Sequence, residues 1–238
     1  MKKLSFILLS AAFVYASCPE PSKFEEKLKE ITQREWKVQA VSEVKDLGLC
    51  QVVVKRGLEP LVIYMDKDMN YLITGNVIDL KNGKNLTAET VRKYAKVSPE
   101  VLKELEKMTD LKFGKGDKYV YFISDPHCPY CNRLAPILKN WADKNDVQIR
   151  VIFYPLPFHK GADEKAASLI CKKDVKYEEL HTKDKPEKVC EEGMEKVKKN
   201  VEYLSKLGVT GTPTLIGMNG KVLVGLPRSE KQLDELVK

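Results

Sequence analysis

Four blocks between Trp36 and Leu80 are rich in Val, Ile, Leu and Tyr: WKVQAVSEV, LCQVVVKR, PLVIYMD and NYLITGNVIDL. β-branched and aromatic runs of this length, separated by polar turn residues, predict strands. Asp66-Lys67-Asp68-Met69-Asn70 separates the last two as a hairpin turn, and Asn82-Gly83 closes the block with a second turn signal. Ahead of the strands, Ser22-Lys23-Phe24-Glu25 has capping-box spacing and predicts a helix through about Gln33. The pattern then becomes helical. Thr87 is read as an N-cap, with Leu86 and Val91 placed as a staple. Ser98 is a second N-cap followed by Pro99 and Glu100, with Val97 and Leu102 at staple spacing. One or two linked helices therefore extend to about Asp110, ended by FGKGDK.

Beyond that point element types alternate. YVYFIS reads as a strand, Cys131 to about Asn145 as a helix, VQIRVIFYP as a strand, and a long stretch after it as mostly helical. PTLIG and KVLVG form a hairpin about Asn219-Gly220, and Ser229 with Gln232 starts a final helix to the C-terminus. Strand–helix–strand followed by a hairpin and helix is an α/β module. The chain shows no internal repeat and no low-complexity tract.

The first residues change where this protein is expected to act. Lys2 and Lys3 precede an apolar Leu4–Tyr15 stretch, and Val14-Tyr15-Ala16 offers a cleavage site, so residues 1–16 read as a signal peptide. Cleavage just before Cys18 would instead make a lipoprotein, although Tyr15 stands where that motif wants Leu or Val. The formal charge is +7, or 7 − 2 = +5 once Lys2 and Lys3 are removed. Lys and Glu are interspersed, and no basic stripe is interleaved with aromatics, which argues against a nucleic-acid partner. An exported chain with six cysteines, Cys18, Cys50, Cys128, Cys131, Cys171 and Cys190, invites disulfides.

Only Cys128 and Cys131 are closely spaced. A C-x-x-C at a strand-to-helix junction is a thioredoxin-like redox signature. Unpaired N–H groups and the helix dipole favour thiolate at the helix start, making Cys128 the nucleophile. Cys131, one turn on and deeper, is the resolving thiol. Pro129 suits the first turn, where its missing N–H is not needed. His127 either favours the thiolate as a cation or is a plain loop histidine. Asp125 shapes a turn before Pro126 rather than moving protons. His159 and His181 read as surface residues. A zinc site lacks a second close ligand pair. A purely structural Cys128–Cys131 bridge closes too small a ring to restrain much chain entropy. No metal or other cofactor is called for.

FISDPHCPYCNRLAPIL, with Pro136 inside its helix, and LGVTGTPTLIGMNGKVLVG downstream resemble the thioredoxin superfamily, and within it the bacterial periplasmic disulfide isomerases DsbC and DsbG. The resemblance implies an α/β thioredoxin-like domain with a helical insertion at residues 117–238. It also implies a small α+β dimerisation domain at 17–85 and a helical linker at 86–116. It makes Pro213 a cis-proline and sets Thr212 beside the cysteines, its backbone presented to an extended substrate. A structural Cys171–Cys190 disulfide in the insertion follows from the same resemblance. Cys18 and Cys50 depart from the family pattern. They pair within the N-terminal domain, or Cys18 carries lipid and leaves Cys50 free. The Pro129-Tyr130 dipeptide is that of DsbG rather than DsbC. The implied activity is isomerisation and reduction of wrong disulfides in misfolded or misoxidised exported proteins. Its implied setting is a V-shaped homodimer whose apolar cleft gives chaperone-like activity, reduced by a membrane thiol reductase of the DsbD type. A net oxidase of the DsbA type and a non-catalytic holdase are the alternatives; DsbA lacks the N-terminal β-rich unit.

Overall fold

Val120 and Phe122 alternate with Tyr121 and Ile123 along one strand, and all four are buried. A strand sends successive side chains to opposite faces, so this strand must be covered on both sides. In a computed structural model describing residues 17–182 and 188–238, it is. The leader expected at 1–16 lies outside the described residues. Among the described residues no helix is long and apolar enough to cross a membrane.

The chain forms two compact units. The first covers described residues 17–54 and 62–75. It holds α1 (Pro21–Thr32) and a sheet of β1 (Val38–Val44), β2 (Leu49–Val54), β3 (Leu61–Asp66) and β4 (Leu72–Thr74), ordered β1-β2-β3-β4. Phe24 and Leu28, four apart on α1, are buried one above the other. The helix begins at Pro21 after Glu20, so Ser22 lies inside it and makes no cap. A proline already preset for the first helical position moves the start upstream of the capping-box spacing. Cys18 is bonded to Cys50 on β2. That sulfur cannot also carry a lipid thioether, so the lipid-anchored alternative is set aside. β4 is the edge strand opposite β1, and every residue of it is exposed.

The second unit comprises residues 55–61 and 76–238. β5 (Ile78–Asp79) and β6 (Lys84–Asn85) form a small ribbon about Asn82-Gly83, followed by α2 (Leu86–Tyr94) and α3 (Pro99–Met108). Asn85 caps α2 by accepting from the Ala88 N–H at 2.8 Å. Thr87, read as the cap, instead accepts from the Val77 N–H at 2.9 Å. A five-stranded sheet, ordered β11-β10-β8-β9-β7, comprises β7 (Leu111–Phe113), β8 (Lys118–Ser124), β9 (Val147–Phe153), β10 (Thr214–Gly217) and β11 (Val222–Val224). β8 and β9 are parallel, joined through α4 (Pro129–Asn145), and the other pairs are antiparallel. Leu134, Leu138 and Trp141 of α4 pack with Val120 and Phe122 on one face. Leu105 of α3 and Leu204 join Tyr121, Ile123 and Ile152 on the other.

The insertion between β9 and β10 holds α5 (Ala162–Cys171), a 3-10 turn at Tyr177–His181, and α6 (Glu191–Leu207). A short α7 (Glu230–Asp234) ends the fold; Ser229 leads it without a side-chain cap bond. Asp110, whose side chain is fully buried, pins α6 to β9 by accepting from the Phe153 N–H at 2.7 Å and the Asn200 amide at 2.9 Å. Cys171 and Cys190, 19 residues apart, are disulfide-bonded across α5 and α6. The helices touch at Gly193, where a Cβ would lie 2.7 Å from both the Ala167 carbonyl oxygen and the Cys171 sulfur. Closing a loop of this length constrains the unfolded chain by about 3 kcal/mol. Replacing both cysteines with alanine is therefore expected to lower unfolding stability by about 2–4 kcal/mol. The free energy of urea unfolding extrapolated to water, fitted with each variant's own slope, checks this; no loss would mean the staple restrains nothing.

Candidate active site

β8 ends at Ser124, and the chain turns through Asp125, Pro126 and His127 before α4. Cys128 is the N-cap of that helix, with Pro129 at its first turn. The turn is clamped by the Asp125 carboxylate, which is fully buried. Its Oδ1 accepts from the His127 N–H at 2.8 Å. Its Oδ2 accepts from the Leu156 N–H at 2.7 Å and lies 2.7 Å from His159 Nδ1. Asp125 therefore ties the loop before the cysteines to the segment after β9.

Cys128 and Cys131 are both free thiols. Cys128 is 3% exposed, between the exposed His127, Pro129 and Tyr130, and Cys131 is fully buried beneath it. The peptide between Thr212 and Pro213 is cis. Thr214 pairs with Ile123, which places the cis loop beside the end of β8. The Thr212 carbonyl accepts from Cys128 Sγ at 3.4 Å. The structure thus brings Cys128, Cys131, Thr212 and Pro213 together, while Cys171–Cys190 and Cys18–Cys50 form separate bridges.

The two thiols are electrostatically unequal. A hydrogen bond from Cys131 lowers the Cys128 thiol to about 5, helped by Thr212 and the backbone N–H groups of Cys131 and Tyr130, and opposed by burial. Burial pushes Cys131 far up, and its bond to Cys128 adds to this. One sulfur is thiolate at neutral pH and its neighbour holds a proton, the division expected of a nucleophile and a resolving thiol. His127 is not among the groups lowering Cys128; it is exposed, with Nδ1 3.2 Å from the Lys160 carbonyl oxygen.

The Thr212 hydroxyl oxygen is buried with no hydrogen-bond partner among the described residues, so it is free to donate to the Cys128 thiolate, which it favours. A hydrogen bond to a charged group contributes about 1.5–3 kcal/mol. Thr212→Val is expected to raise the Cys128 pKa by roughly 1–2 units. Thiolate absorbance titration reads this directly, and an unchanged midpoint would remove the hydroxyl from the account.

Two histidines correct the sequence expectation. His159 and His181 were expected on the surface. His159 is instead half-buried against Asp125. The His181 Nε2 lies 2.8 Å from the Ser124 hydroxyl, behind the cysteines. Both come from segments more than thirty residues beyond β8, which no local pattern connects to it.

The Thioredoxin-like domain family matches residues 105–238, more than half of the chain. The Disulfide bond isomerase protein N-terminal domain matches residues 15–88. Thiol:disulfide interchange protein DsbG of Pseudomonas aeruginosa is 26% identical over 189 residues, covering 74% of this chain and 73% of that protein. The "Probable thiol:disulfide interchange protein DsbC" of Bordetella avium is 29% identical over 158 residues, covering 65% of this chain and 54% of that protein. The crystal structure of a disulfide interchange protein from Neisseria gonorrhoeae is 24% identical, with a TM-score of 0.44 over 52% of this chain and 91% of that one. The chain belongs to the thioredoxin-like family, as a thiol–disulfide interchange enzyme whose thioredoxin-like domain follows the disulfide isomerase N-terminal domain.

Proposed function

We propose that this protein isomerises and reduces wrong disulfides in exported proteins of the periplasm. The Cys128 thiolate attacks a substrate disulfide and forms a mixed disulfide. A substrate thiol then displaces Cys128, completing isomerisation, or Cys131 displaces the substrate, leaving it reduced and the enzyme oxidised. Thr212 and Pro213 present backbone to an extended substrate segment beside the sulfur. The observation that carries the reading is the unequal pair: a thiolate at a helix start above a buried, protonated thiol, beside a cis-proline loop.

The depressed Cys128 value acts mainly on departure. At pH 7 a thiol titrating near 5 is almost wholly thiolate, against roughly 3% for an ordinary cysteine near 8.5, a gain of about 30-fold. Intrinsic nucleophilicity falls with pKa at a Brønsted slope of about 0.4–0.5, which costs a similar factor over the same interval. Attack is left near its ordinary rate, while a low-pKa sulfur leaves a mixed disulfide faster. Fast departure lets one enzyme sample many pairings, as isomerisation needs.

The cycle needs an external reductant, supplied in this reading by a membrane thiol reductase of the DsbD type. The N-terminal unit forms the homodimer, and the dimer adds chaperone-like holding of unfolded chains. A net disulfide donor is the second reading, favoured by the same thiolate because it stabilises the reduced enzyme. Recovery of a scrambled disulfide-containing enzyme, with and without added reductant, separates the two. Recovery without net thiol consumption supports isomerisation. Recovery only of reduced substrate, with the enzyme itself becoming reduced, would replace it with oxidation.

A further inference from the structure

Reduction by this route, which rests on the exchange reading above, leaves one proton unaccounted for. Cys131 must lose its proton to attack the Cys128–substrate disulfide. Asp125 is near, but its carboxylate is committed to the His127 and Leu156 amides and to His159. Its contact with Cys131 is through the backbone N–H.

The other neighbour is Ser124, fully buried at the end of β8, whose side chain favours the Cys131 thiolate. Its hydroxyl lies 2.8 Å from His181 Nε2. The His181 ring stacks at a tilt on Phe122, centroids 5.9 Å apart. It also lines a cleft of about 280 Å³ whose rim includes the exposed Asn132, Pro136, Asn140 and Asp143. A continuous line therefore runs from the buried thiol, through one hydroxyl and one imidazole, to a solvent-lined cleft.

We infer that Ser124 and His181 form the proton path that serves Cys131 during resolution. Ser124 takes the Cys131 proton as it passes its own to His181 Nε2. The Cys131 electron pair forms the bond to Cys128 Sγ, and the Cys128–substrate S–S bond breaks. The substrate sulfur leaves as thiolate and is protonated by solvent. His181 returns its proton to solvent through the cleft. The dithiol is oxidised by two electrons and the substrate disulfide is reduced by two.

The surroundings fit a transient acceptor. Burial lowers His181 to about 4, so at neutral pH its ring is neutral and able to accept, and the Asp125 charge favours the imidazolium that forms. Lys139, Asp143, Tyr177 and Glu178 share the cleft. Once Cys128 is bonded to substrate it carries no charge, which removes its contribution to holding the proton on Cys131. Ser124 acts on the Cys131 sulfur, and His181 acts through Ser124.

Single-turnover reduction of a fluorogenic peptide disulfide tests the path, because one thiol leaves in the attack step and the second in resolution. In Ser124→Ala and His181→Gln the attack step is expected to stay within about twofold of wild type, which also reports an intact fold. Resolution is expected to fall about 10- to 100-fold near pH 7, with the deficit narrowing as hydroxide takes over at high pH. Added imidazole is expected to restore part of the rate to His181→Ala by entering the cleft. Wild-type release with both variants unchanged in rate and pH profile overturns the path alone. A wild-type protein that never releases the second thiol overturns the exchange reading and the path with it.

Discussion

Cys128→Ser is expected to reduce thiol–disulfide exchange to the background of the buffer, a loss on the order of 10⁴-fold or more. Serine oxygen forms no disulfide, and no other free thiol among the described residues reaches the surface: Cys131 is fully buried and the remaining four cysteines are bonded. Cys131→Ser should behave differently. The first attack survives and a substrate-linked mixed disulfide accumulates on Cys128, because the group that releases it is gone. Alkylation of wild-type Cys128 should follow its thiolate fraction, rising through a midpoint of about 5 and levelling off by neutral pH. The sign follows from the cause: hydrogen bonds from Cys131, Thr212 and the helix N–H groups favour the charged form, so the rate drops only as acid protonates it. Retained activity in Cys128→Ser, or alkylation that rises only with the profile of an ordinary cysteine, would end the catalytic account. The first result would leave the holdase reading standing.

Parts of this site are legible because their physics is local. The activation of Cys128 needs only a turn, a proline at the first helical position and the N–H groups of the next residues, all within a few positions. The strands β8 and β9 carry enough consecutive apolar residues to stand out, and Asn219-Gly220 marks the β10–β11 hairpin. What the sequence hides is decided by tertiary contact. β7 has three residues and exists because Leu111 to Phe113 pair with Val151 to Ile149, so the expected helix-ending loop contains an edge strand. Asn85 and Thr87 are both competent caps; Thr87 is taken by the Val77 amide, and Asn85 caps the helix. Ser124 and His181 are 57 residues apart, and no periodicity links the end of a strand to a short turn inside an insertion. The cis peptide before Pro213 came from family resemblance, since an X-Pro bond in isolation reads mostly as trans.

Placing lysine at both Leu72 and Ile73 is expected to convert the proposed homodimer into monomers at micromolar concentration. β4 is an edge strand, with Tyr71, Leu72 and Ile73 exposed at 72%, 40% and 48%. An exposed apolar edge carries unpaired backbone N–H and C=O groups as well as side chains with no cover, and soluble proteins ordinarily blunt such edges with charge. Here the edge lies within the matched isomerase N-terminal domain, and pairing it with the same edge of a second copy would satisfy both kinds of group. Two lysines facing their symmetry mates would oppose that pairing, and loss of a central apolar pair typically costs 2 kcal/mol or more, roughly 30-fold or greater in Kd. Light scattering across a dilution series measures this. The same variant separates assembly from chemistry. Single-turnover reduction of a small peptide disulfide should be unchanged, because Cys128 and its partners lie in the other compact unit. Recovery of a scrambled protein should fall, because in the proposed function the dimer is what holds an unfolded chain. A wild-type monomer, or a variant that stays dimeric, would remove β4 from the interface and with it the account of why an N-terminal domain precedes a complete thioredoxin-like fold.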